Sequence, residues 1–123
     1  MKKLSLIIVP ILLLVFLVSC NIGETIEGFK PNEIIVVRLD IEDDIEIEKI
    51  ILYSNYGTDS ILKNEIGERR TINLKTPQKG EGLFSICVFT SANHLCSEQS
   101  YVEGGYRPTI KLKNGEFEFV KWF

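Results

Sequence analysis

From Glu33 onward, apolar and polar positions alternate with a period of two, the signature of β-strands. Ile35, Val37, Leu39 and Ile41 occupy one phase; Ile34, Val36, Arg38 and Asp40 occupy the other. The first strand therefore starts apolar on both faces and ends with one face polar. Residues 45–53 form the next expected strand. A three-residue turn at Glu42-Asp43-Asp44 would set Ile41 opposite Ile45, Leu39 opposite Ile47 and Arg38 opposite Glu48. If the two strands belong to different sheets, the link must be looser. Asn55-Tyr56-Gly57-Thr58-Asp59 is a turn cluster, a short strand is expected near Ile61, and Ile66-Gly67 breaks it.

Residues 70–75 alternate again, with Ile72 and Leu74 inward, and residues 76–80 read as a loop. Residues 83–90 are apolar in both phases, as in a central strand, and residues 96–102 form another strand ending at Gly104-Gly105. The last hairpin is the most specific. Asn114-Gly115 is the favoured pair for a type I′ turn. Two-residue closure pairs Lys113 with Glu116 and Lys111 with Glu118, and on the other face Leu112 with Phe117 and Ile110 with Phe119. No segment after residue 32 carries a helical stripe. About seven or eight short strands separated by turns predict an all-β fold, a small antiparallel β-sandwich. An immunoglobulin-like or transthyretin-like Greek key is the preferred architecture, with a small closed barrel as the alternative.

The first residues follow a different pattern. Lys2 and Lys3 form a positive head, and residues 4–18 are apolar apart from Ser5 and Pro10. That run is shorter than the ~20 residues of a spanning helix. Its basic, apolar and small-residue regions match an export signal. A transmembrane anchor continuing to Ile22 is the competing reading, disfavoured by Pro10, Ser19, Asn21 and the lack of a following positive cluster.

Within this segment, Leu17-Val18-Ser19-Cys20 resembles the lipobox of bacterial lipoproteins: an aliphatic residue, a small or aliphatic one, then Gly, Ala or Ser, then Cys. The resemblance covers the signal and cleavage site only. It implies a signal peptide over 1–19, cleavage before Cys20, diacylglycerol on the Cys20 sulfur and usually a further acyl chain, such as palmitate, on the new amino group. Two or more chains give stable membrane attachment. Residues 20–32 then read as a lipidated tether and 33–123 as the β domain. Asn21 replaces the Asp typical of inner-membrane retention, so the expected place is the cell envelope, with the outer membrane favoured in a Gram-negative organism.

Composition fits one domain of 123 residues. Loss of Lys2 and Lys3 leaves 12 Lys and Arg against 17 Asp and Glu, a net charge of −5. No basic patch exists to neutralise phosphates, so no nucleic-acid partner is expected. Of three cysteines, Cys20 is assigned to lipid, which leaves Cys87 and Cys96 for an oxidising compartment. A two-residue turn at Ser91-Ala92 would place them directly opposite, and a three- or four-residue loop would offset them. The reading is a disulfide, with two separate thiols as the alternative.

Other residues invite chemistry without completing it. The acids of Asp40-Ile41-Glu42-Asp43-Asp44-Ile45-Glu46 lack the spacing of a calcium loop and read as a solvated edge. His94 is the only histidine, and no GxSxG elbow accompanies it. No enzyme activity, metal or cofactor is expected. Tyr101, Tyr106 and Arg107, around Gly104-Gly105, are residue types enriched in binding hot spots and form the candidate binding surface, against the plainer reading of a bulged turn. Trp122 and Phe123 either cover an open end of the core or mark an interface. The expected function is a lipid-anchored envelope protein with a non-enzymatic binding domain and an envelope protein partner. The alternatives are an inhibitor or immunity lipoprotein acting on an exported enzyme, and a structural subunit of an envelope assembly.

Overall fold

The computed structural model describes residues 26–122. The signal segment 1–19, Cys20, residues 21–25 of the expected tether and Phe123 lie outside the described residues. A turn of 3-10 helix, Pro31–Glu33, leads into β1 (Ile34–Ile41), β2 (Ile47–Ser54), β3 (Gly57–Leu62), the one-turn helix α1 (Lys63–Ile66), β4 (Thr71–Pro77), β5 (Glu81–Thr90), β6 (His94–Cys96), β7 (Ser100–Glu103), β8 (Thr109–Lys113) and β9 (Glu116–Lys121). The strands form two packed sheets. One has the order β4-β1-β8-β9; the other has β3-β2-β5, with β6 and β7 both on the far edge of β5.

Alternation puts one face of each sheet inside. Ile35, Val37, Leu39, Ile72, Leu74, Ile110 and Leu112 from the four-stranded sheet meet Ile50, Leu52, Phe84, Ile86, Val88 and Val102 from the other, all buried. Each such side chain contributes about 1.5–3 kcal/mol by leaving water. The inward phases expected for β1 and β4 are those observed. The final hairpin also has the expected register, from Ile110 opposite Phe119 to Lys113 opposite Glu116. Asn114 (φ 54°) and Gly115 (φ 75°) adopt the left-handed conformations that a type I′ turn requires.

Three expectations need correction. First, β1 and β2 do not form a hairpin: β1 pairs with β4 and β8, and β2 pairs with β3 and β5. Ile47, Ile50 and Leu52 all face the core, which strict alternation forbids. A register shift between Ile47 and Lys49 changes the phase, as an extra residue in a strand does. Residues 42–46 therefore cross from one sheet to the other.

Second, residues 96–102 are not one strand. Leu95 and Val102 both turn inward, seven positions apart, so the strand must break between them. It breaks at Ser97, whose N–H donates to the Ile86 carbonyl (2.8 Å) and whose Oγ accepts from the Ile86 N–H (2.9 Å).

Third, not every pair is antiparallel. β1 and β8 run parallel, joined through the whole second sheet. The expected loop at 76–80 also holds Thr76 and Gln78, both fully buried.

Candidate functional site

The two sheets differ on their outer faces. On the four-stranded sheet, Lys111 lies opposite Glu118 and Lys113 opposite Glu116. Arg38 Nε reaches Asp40 at 3.1 Å, and the Thr71 hydroxyl donates to the same carboxylate at 3.0 Å. This face is a solvated lattice of charges.

The five-stranded sheet presents registered rows of a different character. Leu62, Lys49, Phe89 and His94 make the first row. Ser60, Ile51, Cys87 and Cys96 make the second, then Thr58, Tyr53 and Ser85. Leu83 and Tyr101 follow, and the last row is Glu81 and Glu103. Leu62, Tyr53, Leu83 and Tyr101 expose 49%, 38%, 43% and 45% of their surface, a concentration of uncovered apolar area on one face. A hollow of about 270 Å³ lies among Tyr53, Leu83, Ser85 and Gln99. That is below the usual size of a small-molecule pocket.

Both cysteines lie within these rows. Cys87 and Cys96 are cross-strand neighbours with Cα atoms 4.1 Å apart and form a disulfide. The Thr90 N–H donates to the Asn93 carbonyl (2.8 Å), which closes the two-residue turn at Ser91-Ala92. His94 stacks on Phe89 with ring centres 5.5 Å apart, and Lys49 lies over the same ring at 4.8 Å. The Ser97 hydroxyl, a conceivable partner for His94, is instead bonded to the backbone of Ile86 and Glu98.

The three residues of the expected surface separate. Tyr101 lies within the apolar rows. Its hydroxyl donates to Glu103 and to Glu81 (3.2 Å), bridging two carboxylates that face each other across the strands. The hydrogen bond to Glu103, loss of solvent and the two negative charges hold the phenol above its ordinary pKa. Tyr106 is half-buried, edge-on to Tyr101 at 6.4 Å, and its carbonyl accepts from the Val36 N–H. Loss of solvent, then Glu103, pushes its pKa up as well. Arg107 follows on the exposed surface beside β1. Trp122 stacks on Phe119 at 4.9 Å, and Phe119 meets Phe84 edge-on at 6.0 Å, so the tryptophan caps an aromatic column rising from the core.

The acids of 40–46 are dispersed into separate bonds. Glu42 meets Lys111 and Lys113, Asp44 meets Arg70, and Glu46 meets Lys63. The Lys63 hydrogen bond and charge lower the Glu46 pKa. A cleft of about 510 Å³ runs between these acids and residues 63–70. Its cations are engaged: Arg69 and Arg70 donate to the carbonyls of Ile66 and Ile45, among others, and Lys63 spans Glu46 and Glu48. Among the described residues, no group of three or more His, Cys, Asp or Glu is arranged to hold a metal ion.

The apolar rows were not visible as a face in the sequence. Leu83, Cys87 and Phe89 made β5 read as buried on both sides; only the packing shows which phase meets water. No protein-family model, curated protein or solved structure matches this chain.

Proposed function

We propose that this chain is a lipid-anchored protein of the bacterial cell envelope whose β-sandwich is a non-enzymatic protein-binding module. The outer face of the five-stranded sheet carries the binding reading. Tyr53, Leu83 and Tyr101 stand exposed across three adjacent strands, beside a disulfide that ties β6 to β5. Aromatic anchors on a sheet surface are what a protein partner desolvates most favourably. The anchor reading rests on the lipobox Leu17-Val18-Ser19-Cys20 behind its basic and apolar segment. A disulfide accords with export to an oxidising compartment.

A photo-crosslinking residue at Ser85, in cells, is expected to yield a discrete protein adduct that disappears in a Tyr53→Ala/Leu83→Ala variant. The same probe at Asn73, on the charged face, is expected to yield none. Equal adducts from both positions, or none from Ser85, would remove this face from consideration. For the anchor, Cys20→Ala should accumulate unprocessed precursor without acyl label; normal processing and membrane attachment would refute it.

A further inference from the structure

The chain reaches the sandwich at one pole and is held there. The Phe29 N–H donates to the Ile26 carbonyl (3.1 Å), and the Phe29 ring lies 5.3 Å from the Lys79 ammonium. Glu33 accepts from the Lys30 N–H and pairs with Lys79, and its carbonyl accepts from the Gln78 N–H at 2.7 Å. A Cβ on Gly104 would fall 2.2 Å from the Asn32 carbonyl oxygen and 2.3 Å from that of Gln78. Three segments therefore converge too closely at this pole for the arriving chain to swing freely.

Two consequences follow for the residues around it. Only residues 21–25 lie between Cys20 and the chain held on the domain, six residue steps from Cys20 to Ile26. Fully extended, they span about 20 Å. This pole also carries Tyr56 at the tip of the β2–β3 turn, 52% exposed, with Phe29, Lys30 and Lys79. Tyr106 packs at its corner, where the Gly105 N–H donates to the Ile34 carbonyl. Of the acids here, Glu33 is held by the Lys30 N–H and by Lys79, and Glu81 and Glu103 by the Tyr101 hydroxyl, while Glu27 is exposed. At the opposite pole, where 42–46 cross between the sheets, Glu42 pairs with Lys111 and Lys113, Asp44 with Arg70 and Glu46 with Lys63, and Asp43 accepts from the Asn114 and Gly115 N–H groups. Aromatic rings with lysines suit a headgroup layer.

We propose that the pole bearing Phe29, Lys30, Tyr56 and Lys79, where the chain arrives, rests on the lipid headgroups of the membrane that anchors the chain, so that the pole of residues 42–46 points away and the apolar sheet face stands upright beside the bilayer. This rests on the lipid-anchor reading. The short span after Cys20 restricts the domain to the membrane surface, and the aromatic pole selects its orientation.

The test uses the lipid-bearing full-length product in vesicles of phosphatidylethanolamine and phosphatidylglycerol with brominated acyl chains. Trp122 is the only tryptophan, so a Trp122→Phe background accepts single reporters. Tyr56→Trp and Glu27→Trp report on the proposed contact, and Ala92→Trp reports on the far turn. The two contact reporters should lose emission to bromolipid and become shielded from acrylamide, while Ala92→Trp keeps its emission and its accessibility. Protein that floats with the vesicles while both contact reporters stay unquenched would overturn the docking and leave the anchor standing. Shielding from acrylamide without bromolipid quenching would mean that protein covers the pole, and would also overturn it. Failure to float would refute the anchor, and the docking with it.

Discussion

Both carboxylate oxygens of Asp43 are taken by backbone N–H groups of the last hairpin, Asn114 at 2.6 Å and Gly115 at 2.8 Å. A type I′ turn leaves such donors outside the ladder, and a carboxylate makes a strong acceptor for them. In the sequence Asp43 is one acid among several; its partners lie 71 and 72 positions away. Asp43→Ala should cost about 1–3 kcal/mol in urea denaturation, with Asp43→Asn losing less because one acceptor survives. Tyr101 makes a second residue-level prediction. Its pKa is raised in the folded state, so its contribution is fully present below the unfolded value near 10 and is lost as pH rises beyond it. Melting temperature should fall through that alkaline range, and Tyr101→Phe should flatten the fall.

At the scale of elements, legibility follows distance along the chain. The β8–β9 hairpin is local, and its register followed from turn chemistry and side-chain pairing; the turn at Ser91-Ala92 is as local, but two residues was only one of the loop lengths open to it. The break at Ser97 was not legible, because it depends on the Ile86 backbone capturing a hydroxyl eleven residues on. The shift at Ile47/Lys49 was likewise hidden, although three inward isoleucine and leucine positions out of phase are its trace. The disulfide fastens the shortest strand, three-residue β6, to the longest, β5. Replacing Cys87 and Cys96 together with serine should lower stability by about 2–3 kcal/mol on the chain-entropy estimate. Hydrogen exchange should show the loss concentrated in β6 and the Ser91-Ala92 turn.

For the whole molecule, closure depends on places where distant segments touch. On one side of the sandwich the Asp59 carboxylate accepts from the Lys75 N–H at 2.9 Å, and Ser54 bonds to Thr76 and Pro77, which ties β3 and β2 to β4 across the sheets. At the pole, Gly104 is the junction of three segments. Gly104→Ala should destabilise the fold by about 1–3 kcal/mol, because the obstructing atoms are backbone carbonyls that cannot rotate away. A thermal melt checks it, with Gly57→Ala as a control at a glycine without positive φ, where a Cβ meets only ordinary contacts at 3.4 and 3.8 Å.

What the sequence by itself determined is the all-β character, the inward phases of β1 and β4 and the register of the last hairpin. Alternation and turn type are local properties, and they need no knowledge of a partner. Which strands share a sheet, the parallel pairing of β1 with β8, and the exposure of Tyr53, Leu83 and Tyr101 on one sheet face belong to the tertiary structure. A strand apolar in both phases has two possible inner faces. The choice between them is made by the opposing sheet, whose residues arrive from far along the chain.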